Sequence, residues 1–254
     1  MERPSQTDAP LTPLTRTLVI MAKAPREGRV KTRLNSSLPP GAVTALYCCL
    51  LEDTVALARS LVGVDVAVMC PEADQEELGN LLGESVQIVA QNGDGLAAGL
   101  TSVFQHFTGS GDRLVIAFNS DSPHIAPSVL GKAFDLLATQ DVVVGPTHDG
   151  GYYLVGAKTG YPSLFESDGM GTKTALERLL MQTKALGLST GFTEQFYDVD
   201  VTEDLVRLVG ELRIAPERAP RTAGWFREWE ASGQATAWRA PDLPAGRSEG
   251  LGKR

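Results

Sequence analysis

The sequence predicts an α/β protein with a three-layer, Rossmann-like fold around a mostly parallel central sheet. Three observations predict it. Short, continuous apolar runs recur, foremost LVIMA at 18–22 and LVIAF at 114–118. Such runs mark strands buried on both faces, as parallel strands are. Segments of helical apolar periodicity stand between them, and strands that alternate with helices imply right-handed crossovers in a parallel sheet. The 254 residues, 43% of them apolar, fit one large domain with a substantial core.

Each element follows in chain order. The first strand, 18–22, leads into a basic loop, 23–33, that contains Pro25 and Gly28. Pro39-Pro40-Gly41 opens a helix in which Val43, Leu46, Leu50, Leu57 and Leu61 share one face. Strands are expected at 64–69, 86–90, 114–118, 142–144 and 152–156, with an extended stretch at 196–199. Helices are expected at 74–82, 96–107, 127–138, 172–185 and 202–212. The last begins with Thr202, Glu203 and Asp204, which suit a helix N-terminus. The main domain is expected over 16–213, after a polar, Pro/Thr-rich flexible segment, 1–15. The extension 214–254 holds all three tryptophans, Trp225, Trp229 and Trp238. Trp225 and Trp229, at i and i+4, would dock a short helix. Beyond Pro241 the composition predicts disorder.

Composition narrows the function classes. A net charge of -8 disfavours a binder of nucleic acid, whose phosphates attract basic surfaces. It leaves room for a nucleotide held by a few local cations. Cys48, Cys49 and Cys70 form no CxxC pair, so neither a zinc knuckle nor a disulfide framework is expected. They read as small buried apolar residues in a reducing compartment. The N-terminus lacks the basic start and apolar core of a signal peptide. Apolar runs are only a few residues long, so no membrane span is expected. The expected location is cytoplasmic.

In parallel sheets ligands gather at the carboxyl ends of the strands. That rule directs attention to the loops after Ala22, Phe118 and Val144. In the first, Arg26, Arg29, Lys31 and Arg33 follow a buried strand, and Gly28 permits close backbone approach. Such a turn makes an anion site; a solvated basic loop is the alternative. It is neither a Walker A loop, since Lys23 stands where the first glycine belongs, nor a GxGxxG fingerprint. In the second loop, Asn119-Ser-Asp-Ser-Pro-His124, Asp121 offers the oxygen donor that Mg²⁺ or Mn²⁺ prefers. A turn or helix cap is equally open. In the third, 145–153, Gly150 and Gly151 allow close approach and Tyr152 could stack on a substrate, while Asp149-Gly150 also reads as a hairpin turn. In Asp198-Val199-Asp200 a second carboxylate near Asp121 would complete a metal site, or would cap the helix that begins at 202. His106 reads as structural, whereas His124 and His148 follow strand ends. Gly109-Ser110-Gly111 lacks the spacing of a nucleophile elbow, which argues against a serine hydrolase.

Three motifs, Met21-Ala-Lys-Ala-Pro-Arg-Glu-Gly-Arg-Val-Lys-Thr-Arg-Leu34, Asn119-Ser-Asp-Ser-Pro123 and Gly145-Pro-x-x-Asp-Gly-Gly-Tyr-Tyr-Leu-Val-Gly156, together resemble the DUF2064 family. Its members carry the GT-A fold and are assigned as nucleotide-diphospho-sugar transferases of the rSAM/selenodomain-associated type. The resemblance spans 17–212. More distantly the chain is similar to 2-phospho-lactate and molybdenum-cofactor guanylyltransferases. The resemblance implies that the backbone of Ala22, Lys23, Ala24 and Pro25 lines a base pocket. It implies phosphate contacts from Lys31 and Arg33, with Gly28, Gly93, Asp94 and Ser120 also around the nucleotide. Asp121 and Asp200 would bind the metal, Mg²⁺ or Mn²⁺, and Gly150, Gly151 and Tyr152 would shape the acceptor side. Departures are His124, where the family has Thr or Asp, and Met170-Gly171-Thr172, where it has a tryptophan-led segment.

The expected activity is metal-dependent glycosyl transfer from a nucleoside diphosphate-sugar to a small acceptor. Lys31 and Asp121 would be catalytic, with Asp149 as general base. One alternative is nucleotidyl transfer from an NTP to a phosphorylated acceptor, with release of pyrophosphate. Another is a non-catalytic nucleotide-binding protein.

Overall fold

Leu18, Val19 and Ile20 are wholly buried, so the first strand lies in the middle of the sheet, covered on both faces. The computed structural model describes residues 14–84, 86–109, 113–161, 163–165 and 173–233. Ser110-Gly111, Met170-Gly171-Thr172, most of the N-terminal segment and the tail with Trp238 lie outside the described residues. Seven strands form one sheet: β1 (Thr15–Met21), β2 (Val64–Cys70), β3 (Gln87–Ala90), β4 (Arg113–Asn119), β5 (Val142–Pro146), β6 (Tyr152–Ala157) and β7 (Thr190–Phe192). Their order is β3-β2-β1-β4-β6-β5-β7. All neighbouring pairs are parallel except those of β6, which runs antiparallel to β4 and β5. The fold is α/β with a mostly parallel sheet, as the alternation predicts. The exception has a local cause: Asp149-Gly150 closes a hairpin between β5 and β6, and a hairpin reverses the chain.

Successive residues of a strand face opposite layers. Leu18 and Ile20 join one core with Leu51 of α1 (Pro40–Arg59) and Phe134 of α4 (Pro127–Thr139). Val19 joins another with Val103 and Phe104 of α3 (Gly95–Phe107) and Leu179 of α5 (Ala175–Ala185). A short α2 (Gln75–Leu82) closes the edge beside β3. A third core unites Val43, Leu46 and Leu50 of α1 with Leu205 and Leu208 of α6 (Thr202–Ile214) and with Ala223 and Phe226 of α7 (Pro220–Ala231). Each buried Val, Leu, Ile or Phe among them contributes about 1.5–3 kcal/mol by leaving water.

Helix α1 is therefore buried on two sides, wider than the single face read from its periodicity. By length and composition it is apolar enough to cross a membrane, although its unbroken apolar runs are short. Its apolar residues are taken up by two cores of the protein itself. Helix α7 is the short helix expected around the tryptophans, with Trp225 and Trp229 stacked at 5.3 Å. Its first turn is held by Asp53 of α1, which accepts hydrogen bonds from the Arg221 amide (3.2 Å), the Thr222 amide (2.8 Å) and the Thr222 hydroxyl (2.8 Å). A carboxylate at a helix N-terminus satisfies free N–H groups and the helix dipole together.

Two local expectations need correction. Strand β7 was not expected, because a three-residue Thr-Gly-Phe segment has no readable period; pairing with β5 creates it. Only Cys70 is buried, while Cys48 and Cys49 are half-buried on α1.

Candidate functional site

Register brings the site together. Met21, the last residue of β1, pairs with Asn119, the last of β4. The basic loop and the Asp121 loop therefore leave the sheet side by side. On the other flank, the His148 amide donates to the Phe196 carbonyl at 3.0 Å, and the Phe196 amide donates to the Pro146 carbonyl at 3.1 Å. These bonds carry Asp198 and Asp200 past the end of β5 to the same rim. A cleft of about 640 Å³ opens there, lined by Lys23, Lys31, Arg33, Asp94, Ser120 and Asp121 among others. This volume suits a small-molecule ligand. A second recess of about 250 Å³ adjoins it, reached by Asp121, Asp149, Gly151, Tyr152, Asp198 and Asp200.

At the junction stands Lys31. Its ammonium donates to Asp121 and, at 2.6 Å, to Asp200. Arg33 lies 3.5 Å from the second oxygen of Asp200. Burial works against the Lys31 charge, but the pull of Asp121 and Asp200 prevails and raises its pKa. Burial would raise the pKa of Asp200 as well, yet Lys31 outweighs it and holds that carboxyl below its ordinary value. For Asp121 burial is the stronger influence and pushes the carboxyl up, against the attraction of Lys31. A buried ion pair of this kind is poor evidence for stability, because desolvation offsets much of its attraction.

The capping alternative for Asp200 is answered by its neighbour. Asp204 accepts both the Asp200 and Val201 amides at 3.0 Å, which leaves the Asp200 carboxylate to Lys31. The hairpin alternative for 145–153 holds together with a place at the site. Asp149 accepts from the Thr147 hydroxyl (2.6 Å) and the Gly151 amide (3.1 Å), closing the turn, while Asp149, Gly151 and Tyr152 face the recess. Gly150 serves the turn itself: its φ is +91°, and a Cβ there would lie 2.0 Å from the Lys173 carbonyl oxygen.

Other expected residues stand apart. Ala22 lines the cleft, but Ala24, Pro25, Gly28 and Gly93 do not. Ala24 is buried and gives its amide to Asp74 at 3.0 Å. Arg26 turns away from the cleft, bonded to Asp74 (2.7 Å) and Glu77 (2.8 Å). His148 is exposed, and His124 is buried, stacked on Tyr197 at 4.4 Å. Burial lowers the His124 pKa to about 3, so the ring is neutral.

Two residues at the site were not singled out by the motifs. The Tyr47 hydroxyl from α1 meets the Lys23 amide and carbonyl and the Ser120 hydroxyl, each at 3.2 Å, and so joins the two loops at the floor of the cleft. One tyrosine on an apolar helix face carries no signal of this role. Asp198 was noted only with Asp200. It is half-buried, accepts from Asn119 Nδ2 at 2.7 Å, and its pKa is pushed up to about 8, first by desolvation and then by nearby Asp121. Its place two residues before Asp200, on an extended segment, was the only available hint.

The chemistry of the donors fits a divalent cation. Asp121, Asp198 and Asp200 supply hard oxygens, and Oδ1 of Asp121 is buried without a hydrogen-bond partner. No group of three or more such side chains is drawn together as a metal centre among the described residues. The ammonium of Lys31 stands between Asp121 and Asp200 instead.

The model of the family DUF2064, "Uncharacterized protein conserved in bacteria", matches residues 54–172, which contain the second and third motifs. No curated protein matches significantly. A protein of Desulfovibrio desulfuricans G20, provisionally assigned as a nucleotide-diphospho-sugar transferase, superposes with a TM-score of 0.78 at 26% identity. That match covers 85% of this chain and 96% of the other. A nucleotidyl transferase of Methanothermobacter aligns at 16% identity with a TM-score of 0.57, over 79% of this chain and 99% of its own. A homologue of Mycobacterium tuberculosis Rv0371c from Mycobacterium sp. strain JC1 gives 20% and 0.54, over 80% and 100%. The latter two are similar in fold alone. The resemblance to DUF2064 read from the motifs is thus shown over residues 54–172, in a chain with the fold of the nucleotide-diphospho-sugar transferases.

Proposed function

We propose that the cleft binds a nucleoside diphosphate-sugar and transfers its glycosyl group to a small acceptor in the adjoining recess. One observation carries this reading: Lys31, Asp121 and Asp200, far apart in sequence, meet at a single rim of the sheet. Lys31 and Arg33 would face the diphosphate. Tyr47 fixes the loops that frame the nucleotide, and Lys23, Asp94 and Ser120 line its place. Asp121 and Asp200 would hold Mg²⁺ or Mn²⁺, whose chemistry is to neutralise charge on a departing diphosphate. Gly151 and Tyr152 shape the acceptor side. Asp149, exposed at that rim, would take the proton from an acceptor hydroxyl.

Nucleotidyl transfer is the second reading. It needs a phosphorylated acceptor in the recess. The neighbour at 26% identity, provisionally assigned as a nucleotide-diphospho-sugar transferase, supports the first reading over this one. A panel of UDP- and GDP-sugars and NTPs, each with and without Mn²⁺, separates the two. Metal-dependent stabilisation and turnover of a nucleotide-sugar is the expected result. Pyrophosphate release from an NTP would establish nucleotidyl transfer instead. Binding without turnover of any donor would leave a nucleotide-binding protein.

A further inference from the structure

Lys31 has two possible tasks at this site, and its geometry selects between them for the free protein. A lysine kept only for phosphate would extend toward the open cleft. Here the side chain is 10% exposed and its ammonium bridges Asp121 and Asp200, the pair that would bind a divalent cation. The backbone is committed to this arrangement as well. Lys31 has φ 45° and ψ 39°, and only Ser163 shares a positive φ among the described non-glycine residues. A bulky residue in the left-handed region stores strain that its surroundings must hold. The Ser37 and Thr202 hydroxyls are hydrogen-bonded, which fastens the turn after Lys31 to the start of α6, next to Asp200.

An ammonium and a divalent cation held by the same two carboxylates would repel each other at close range, so the two compete for that place. One oxygen of Asp121 remains buried without a partner, so the pair is not saturated by the lysine. We infer that Lys31 holds the cation's place in the free protein, so that the cleft takes up a divalent cation together with a diphosphate rather than alone. This rests on the nucleotide-dependent reading above. The diphosphate offers Lys31 a second anionic partner, and its move there frees Asp121 and Asp200. Cation and diphosphate then favour each other's binding, and linkage makes the effect reciprocal.

Removing a lysine that serves only phosphate should leave cation affinity unchanged. Removing one that competes should strengthen it. If Lys31 occupies the pair roughly nine-tenths of the time, the apparent cation affinity is weakened about tenfold. The test is Mn²⁺ binding to the full chain, read as loss of the free-ion signal in electron paramagnetic resonance. Wild type is compared with Lys31→Met and with Lys31→Gln; the latter keeps length and polarity should the former fail to fold. Without diphosphate, the variants should bind Mn²⁺ about tenfold more tightly than wild type. In dialysis against inorganic pyrophosphate with Mn²⁺, they should retain less pyrophosphate. Equal or weaker Mn²⁺ binding by folded variants, with wild type still binding, overturns this inference and leaves the proposed function standing. Failure of every form to bind Mn²⁺, with or without pyrophosphate, removes the cation site, and both proposals go with it.

Discussion

The protein buries a carboxylate in each of two regions and uses them in opposite ways. Asp53, under α7, is 1% exposed and has both oxygens hydrogen-bonded to the first turn of that helix. Asp121, at the rim of the sheet, is 9% exposed and keeps one oxygen buried without a partner. Its other oxygen meets a lysine that Asp200 also claims. Burying a charge is costly unless its bonding capacity is met. Asp53 meets it fully and fastens the C-terminal helix. Asp121 does not, and the surplus capacity is what a ligand can use. Satisfaction of the group, more than its burial, separates the architectural carboxylate from the one at the candidate site.

Substitutions can break that contrast. The largest effect is expected from Asp121→Asn. Metal-dependent turnover should fall about 10³-fold, the scale of losing a main electrostatic group at a reacting centre, while the melting temperature changes little. Kinetics alongside a thermal melt would check this, and retained turnover would erase the distinction. Asp53→Ala should do the reverse. Three donors lose a charged acceptor, at a cost of about 3 kcal/mol, read as a lower denaturant midpoint with kcat per folded molecule unchanged. If activity falls with stability intact, Asp53 belongs to the site after all.

Smaller effects come from titration of the metal-free protein, and their signs differ. Asp198 moves from 3.8 to about 8 on folding. The native state therefore binds this proton more tightly than the unfolded chain. Its contribution is complete below about pH 4 and is lost as pH rises to about 8, so Asp198→Asn should flatten the decline in stability between those two values. His124 moves from 6.5 down to about 3. There the unfolded chain binds the proton more tightly, and stability is lost as pH falls from about 6.5 towards 3. His124→Phe should soften that acid-side loss, measured by urea titrations across the range. A variant with an unchanged pH profile would show that its group does not change its proton affinity on folding.

Much of the fold was legible because burial on both faces leaves a plain mark. LVIMA and LVIAF are unmixed apolar runs, and the two strands they form lie side by side at the centre of the sheet. β7 left no such mark, since its pairing with β5 supplies what its sequence lacks. At the site, Lys31, Asp121 and Asp200 could be nominated from residue type and position after strands or before a helix. Tyr47 could not, because its function is to touch two loops that only the fold brings near α1. Arg26 misled in the other direction: it shares the basic loop with Lys31, yet Asp74 and Glu77 claim it from a neighbouring turn.

By itself the sequence determined the alternation of strands and helices and the chemical types gathered in the loops, because these depend on short-range patterns of apolar, charged and turn-forming residues. Only the tertiary structure decided which carboxylate each cation meets, that β6 runs against its neighbours, and that Asp204 rather than Asp200 caps α6. Electrostatic and hydrogen-bond partners are set within a few ångströms in space, and residues 31, 121 and 200 acquire that proximity only once the register of β1 with β4 and the path beyond β5 are fixed.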